Sequence, residues 1–329
     1  MGTTYRAALH ADPLPWLLEP ETPAVRHLTL RWLLDESEDA PRVRRARAAA
    51  MRADPIAATL AARDPQGYWV KPGPGYGPKY TGTVWSLMFL DQLGADPRDR
   101  RIQGSCDYVL AHTQAPGGGF GWSGTNSTAV HCLHGNLLHA LVRFGRLDDE
   151  RVRAAVEWQA RSITGDGFGS WHRWATSGPG FSCGINGGLP CAWGAIKALR
   201  GLSAIPPRRR TRLVRRAIED GVGFLLSTDP ATARYPTDTT VSPNWFKLGF
   251  PSGYVADVLQ DLEVLADLGH AKDPRLGNAL DLVLSKQDAR GRWRNEYAYE
   301  RKTWAPFEPT RSPSKWVTLR ACRVLRAAL

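Results

Sequence analysis

The stretch TVWSLMFLDQLGADPRDRRIQGSCDYVLAHTQAPGGGFGW (residues 83–122) decides the fold. Residues 83–94 are apolar on nearly every side and stop at Gly94. A turn, Ala95-Asp96-Pro97, leads into 98–114, where arginines share a helical period with an apolar stripe. That segment ends at Gln114, and a glycine–aromatic loop follows at 115–122. A helix apolar all round belongs inside a protein, and a strongly amphipathic one belongs on its outside. The unit is therefore an inner helix, an outer helix and a loop.

The same unit recurs on either side. It returns as 127–145 with 148–159 and the loop at 165–171, then as 191–203 with 206–227 and a loop reaching Trp245. It returns again as 252–269 with 273–287 and the loop at 288–293, and a last helix spans 313–329. Upstream, Val25, Leu28, Leu30, Trp32 and Leu33 set a helical period over 22–34. Residues 42–63 read as one or two helices broken near Asp54-Pro55, and residues 1–20 as an extended lead-in. Repetition at this spacing marks a helical-repeat architecture. A few such pairs can close into a ring whose inner helices form a barrel with their N-termini on one rim. The expectation is an all-α protein, an α/α toroid over 61–329, with 1–60 as a helical lead-in packed on it.

Composition narrows the class. The chain has 329 residues, 43% of them hydrophobic, enough for a large core. The net charge of +11 is mostly arginine, and the densest run, Arg208 to Arg216, reads as a solvated outer helix face. No nucleic-acid motif accompanies it, so no nucleic-acid partner is expected. Five cysteines, odd in number and widely spaced, argue against a disulfide framework. Without a signal-like segment or an apolar run of membrane-spanning length, a cytoplasmic protein is expected, with contact between the toroid's rim and a membrane left open.

Candidate site residues follow from superposing the repeats. With Gly94, Gly145, Ser203 and Gly269 aligned, Cys132 falls opposite Thr81 and Pro190, and Cys191 opposite Gly82 and Asp257. Cys132, Cys191 and Asp257 thus share one depth near the N-terminal rim, with Cys183 on the loop before it. Helix N-termini favour thiolate, and zinc takes four nitrogen or sulfur ligands. Cys132, Cys183 and Cys191, completed by His134 or His172, form the candidate zinc set; the bland alternative is small buried thiols. Asp257 is the candidate proton donor, unless it pairs structurally with an arginine. His172 can serve in acid–base work, and Asp166 either in catalysis or as a cap. Trp85, Trp122, Trp171, Trp193, Trp245, Phe246, Tyr254 and Trp316 either line a central cavity or simply fill the barrel.

Gln114-x-x-x-x-Gly119-Phe120 and Gln287-x-x-x-Gly291-x-Trp293 resemble the Gln-Trp repeats of squalene and oxidosqualene cyclases, and Gln66-Gly67-Tyr68-Trp69 and Asp166-Gly167-Phe168 look like worn copies. From about residue 60 the chain resembles the α/α-toroid superfamily of terpenoid cyclases, protein prenyltransferase β-subunits and lanthionine cyclases. It is most similar to short bacterial squalene-cyclase-like, prenyltransferase-repeat proteins. The resemblance implies that the glutamine and ring tie each outer helix to the next repeat. LPCAWG (189–194) looks like the cysteine motif of lanthionine cyclases, and CLHGN (132–136) loosely like their Cys-His-Gly motif, which implies zinc at the rim. The aspartate motifs of both terpene cyclase classes, D-x-D-D and D-D-x-x-D, are missing. The expected function is an enzyme with an aromatic-lined cavity and a rim zinc, acting on an isoprenoid-like or thiol-containing small molecule. The alternatives are a metal-free cyclase or isomerase using Asp257 as acid, and a non-catalytic lipid- or peptide-binding toroid.

Overall fold

The fold is described here from a computed structural model, over residues 4–168, 176–232 and 242–329. The first helices are α1 (Thr4–Ala7), α2 (Leu14–Leu17), α3 (Pro23–Trp32), α4 (Pro41–Ala50) and α5 (Ile56–Ala61). Then come α6 (Thr83–Gln92), α7 (Arg100–His112), α8 (His131–Arg143), α9 (Glu150–Thr164) and α10 (Ala192–Ser203). The last are α11 (Arg212–Leu225), α12 (Val258–Asp267), α13 (Gly277–Leu284) and α14 (Lys315–Ala328). Among the described residues β-pairing is confined to isolated bridges, and no helix is long and apolar enough to cross a membrane.

Where the sequence is apolar all round, the helix is inside: every residue of α6 from Thr83 to Leu90 is buried. α6 packs on α8, α8 on α10, α10 on α12, α12 on α14, and α14 on α3. Leu28 of α3 meets Gly94 at the end of α6, which closes the ring. Outside it, α4 backs α3, α7 backs α6, α9 backs α8, α11 backs α10 and α13 backs α12. Short α1 and α2 pack on α14, in the place an outer helix takes elsewhere. The fold is an all-α toroid, as the repeat pattern predicts. Two expectations change. Residues 1–20 contain two short helices where an extended lead-in is expected, and α3 packs on α14. The helix expected over 252–269 begins at Val258, because Asp257 caps it.

Local chemistry repeats with the architecture. Asp99, Asp149 and Asp273 each stand before an outer-helix segment and accept the backbone N–H two residues on. Each also grips the side chain of that same residue, Arg101, Arg151 or Arg275, through both carboxylate oxygens. Such caps satisfy N–H groups that a helix start leaves free. The loops repeat too. The backbone N–H of Trp69, Phe120 and Trp293 is accepted by Thr83 Oγ1, His134 Nδ1 and Thr318 Oγ1 on the following inner helix. Gln114 Nε2 bonds the Arg151 carbonyl of the next outer helix, and Gln287 bonds His10 N–H and the Ala8 carbonyl. In the first copy the bridge partner of Trp69 is Arg63, as Gln114 is of Phe120, so Arg63 and not Gln66 holds the glutamine position.

Candidate functional site

The sequence points to the N-terminal rim of the inner barrel. Gly82, Cys191 and Asp257, aligned by sequence, each stand at the N-cap of an inner helix. Cys191 precedes α10 rather than lying in its first turn, and Cys183 caps a short 3-10 turn. Cys132, in the first turn of α8, feels both other thiols. Burial, with Cys191 and Cys183 adding to it, pushes the Cys132 thiol up to about 12, so desolvation outweighs the helix N-terminus and the group stays protonated.

His134 does not complete a ligand set. Its Nδ1 accepts the Phe120 N–H at 2.9 Å, and its Nε2 donates to the Ala155 carbonyl at 3.0 Å. Both ring nitrogens are committed, in the role Thr83 and Thr318 play in other repeats, and burial pushes the imidazole down to about 3. His131 is likewise held by Gln159 and the Gly178 carbonyl. Among the described residues no three His, Cys, Asp or Glu side chains converge closely enough to hold a metal ion. His134, with both ring nitrogens engaged by the backbone, has none left for a metal. His172 and Trp171 lie outside the described residues.

The two candidate carboxylates have structural work. Asp166 is half exposed and forms a two-point ion pair with Arg216 of α11, at 2.6 and 2.9 Å. It ties the end of α9 to the next outer helix, as Gln114 does one repeat earlier. Asp257 accepts the Gln260 N–H at 2.9 Å and Gln260 Nε2 at 2.8 Å. Burial raises its carboxyl, with Arg320 and the Gln260 bonds opposing. It positions Gln260, whose Oε1 takes the ammonium of buried Lys197. Burial and nearby Arg200 push Lys197 down to about 7.

The aromatic set mostly fills the barrel. Trp85 is buried among Tyr76, Tyr80, Phe89 and Tyr254, and Trp245 donates its indole N–H to the Pro230 carbonyl. Trp122, Trp193, Phe246 and Tyr254 are part-buried against the same core. Trp316 faces a cavity, with Phe250 stacked on it at 4.4 Å.

That cavity lies at the other end of the barrel. It measures about 300 Å³ and takes side chains from the last turns of α3, α6, α8 and α10 and from along α12 and α14. Its lining mixes apolar side chains, Leu28, Trp32, Ile196 and Val264 with the Phe250–Trp316 pair, and charged ones. His139 Nδ1 donates to Asp91 Oδ2 at 2.6 Å, and the Asp91 side chain is only 4% exposed. Arg200 approaches the same carboxylate oxygen at 3.5 Å. Arg320 grips Glu263 and donates to the Gly249 carbonyl, and Arg323 pairs with Asp267 and covers the Trp32 ring.

Burial alone would raise Asp91, but His139, Arg200 and Arg143 outweigh it and hold the carboxyl below its ordinary value. Burial, with Arg200 and Arg143, keeps His139 below 6.5 against the pull of Asp91. At neutral pH the pair is a neutral imidazole on a carboxylate. Asp91 fixes the tautomer with the proton on Nδ1, and Nε2 has no protein partner among the described residues. A histidine so oriented can take and return a proton. Sequence reading passed over this site, although the same superposition contains it: His139 falls opposite Lys197 and Glu263, and Asp91 opposite Arg200. Charged residues at matching positions of otherwise apolar helices were the signal.

No protein-family model matches the sequence, and no curated protein does. Among solved structures the chain is similar to the type II terpene cyclase MstE from Scytonema. A variant of that enzyme in complex with its product, merosterolic acid A, is 12% identical over 83% of this chain and 94% of that one, with a TM-score of 0.33. The apo enzyme is 14% identical over 82% and 95%, with a TM-score of 0.31. A protein from Actinoplanes is 14% identical over 85% and 99%, with a TM-score of 0.30. Likenesses this distant leave the chemistry to the chain's own residues.

Proposed function

We propose that this toroid is an enzyme that moves a proton within a small molecule held in the cavity at the C-terminal end of its inner barrel, with His139 as the acid–base group. The observation that carries the reading is the Asp91–His139 pair, whose free Nε2 faces a cavity walled by all six inner helices. Nε2 takes a proton from the substrate, the imidazolium is steadied by Asp91, and the proton returns at another substrate atom. The net change is an isomerisation that needs no co-reactant. Asp257 acts at a distance, by holding Gln260 in the cavity wall. At about 300 Å³ the cavity is at the small end of ligand pockets, which suits a compact substrate.

The test follows metabolites in a cell extract incubated with the protein. The wild type should convert at least one compound to another of equal mass. His139→Gln and Asp91→Asn should abolish the conversion, or slow it at least a hundredfold, while both variants unfold cooperatively. Unchanged conversion in His139→Gln sinks the proposal. Binding of a compound without turnover would move the protein to the ligand-binding reading.

A further inference from the structure

Charges around the cavity do not cancel. Four guanidiniums, of Arg143, Arg200, Arg320 and Arg323, face three carboxylates, of Asp91, Glu263 and Asp267. Glu263 is taken by Arg320 and Asp267 by Arg323. Asp91 is taken by His139 at 2.6 Å, which leaves Arg200 a single approach at 3.5 Å. Arg143, one helical turn beyond His139 on α8, makes no ion pair or side-chain hydrogen bond among the described residues. A planar guanidinium carries five donors in a fork that matches an oxyanion. Two such forks, on adjacent inner helices, are thus left unfilled beside His139. The stacked Phe250–Trp316 pair lines the same cavity.

We propose that Arg143 and Arg200 bind the oxyanion head of the substrate, a carboxylate or a phosphate ester, while its apolar body lies on Phe250 and Trp316. This rests on the reading of the cavity as the active site and names its substrate class. The head group would sit on the arginine side of His139, which places the atoms next to it within reach of Nε2. Arg143, exposed at the mouth, makes first contact, and the more buried Arg200 fixes the head in place.

The experiment is calorimetric titration of the intact protein with three probes that share one ring: phenylacetate, phenyl phosphate and the neutral phenylacetamide. At least one anion should bind, at least tenfold more tightly than the amide, and the tighter of the two identifies the head group. Arg143→Gln and Arg200→Gln should each weaken that anion at least tenfold, and Arg153→Gln, on the outer helix α9, should not. Arg143 is exposed, so its variant keeps the test informative if Arg200→Gln fails to fold. Equal binding of amide and anions, no binding of either anion, or anion binding unmoved by Arg143→Gln overturns the proposal. His139→Gln should still bind the anion. Retained binding with unchanged turnover in that variant would defeat the acid–base role and leave the anion site standing.

Discussion

Histidines on the inner helices sit in different electrostatic settings. His134 is saturated by backbone partners, and His139 keeps one nitrogen free beside a carboxylate. His27, on α3, is buried with neither ring nitrogen bonded to the protein. Replacing His134 by Ala strands the Phe120 N–H and leaves a void, so a loss of roughly 2–4 kcal/mol is expected in urea denaturation. A loss below about 1 kcal/mol would mean that His134 is not the acceptor of the Phe120 N–H in solution. Burial pushes His27 down to about 4, and the unfolded chain holds it near 6.5. Between those values the unfolded state binds a proton that the folded state refuses. Stability therefore falls as pH drops from 6.5 towards 4, by at most about 1.4 kcal/mol per pH unit for this group. His27→Leu should flatten that limb relative to wild type and cost little at pH 7. A limb of unchanged slope would show that His27 titrates freely. For His139, burial is the main depressing cause, and Arg200 and Arg143 add to it. Loss of Arg143 should raise its pKa, which NMR titration of Arg143→Gln would show as an upward shift; no shift would place Arg143 too far away to act.

At the scale of elements, the α8–α10 seam positions the site. A Cβ on Gly135 would stand 2.0 Å from the Lys197 carbonyl oxygen, and Gly201 packs back against Gly135. The two backbones cross too closely for any side chain, and this fixes His139 relative to Arg200. Gly135→Ala should cost about 3 kcal/mol or more, because backbone must move. Gly223→Ala on α11 meets nothing within 4 Å and should be neutral or stabilising by about 0.5–1 kcal/mol, because alanine favours a helix. Chemical denaturation of both variants checks the contrast, and similar stabilities would refute the close-crossing argument.

At the scale of the whole molecule, the N-terminal segment closes the ring. Gln287 at the end of α13 bonds His10 and Ala8, Lys315 of α14 pairs with Glu19, and Arg326 pairs with Asp35. Deleting residues 1–18 removes α1 and α2 and uncovers one flank of α14. The midpoint of thermal unfolding should fall by roughly 10 °C or more, because apolar area of a closed ring is exposed. An unchanged midpoint would return this segment to the status of a lead-in.

The sequence by itself determined that apolar and amphipathic helices alternate around a ring. Burial and periodicity are properties of consecutive residues, so they can be read without the fold. It also determined which residues take matching places on their helices, since Gly82, Cys191 and Asp257 each stand at the N-cap of an inner helix. Only the tertiary structure decided which of those residues face open space. His134 sits where an unusual residue usually signals chemistry, yet backbone partners take both of its ring nitrogens. Asp91, His139, Arg143 and Arg200 come from three helices far apart in sequence, and each alone looks like a helix-end charge. What makes them a site is a 2.6 Å contact, an unfilled guanidinium and a cavity, none of which is a property of any one stretch of chain.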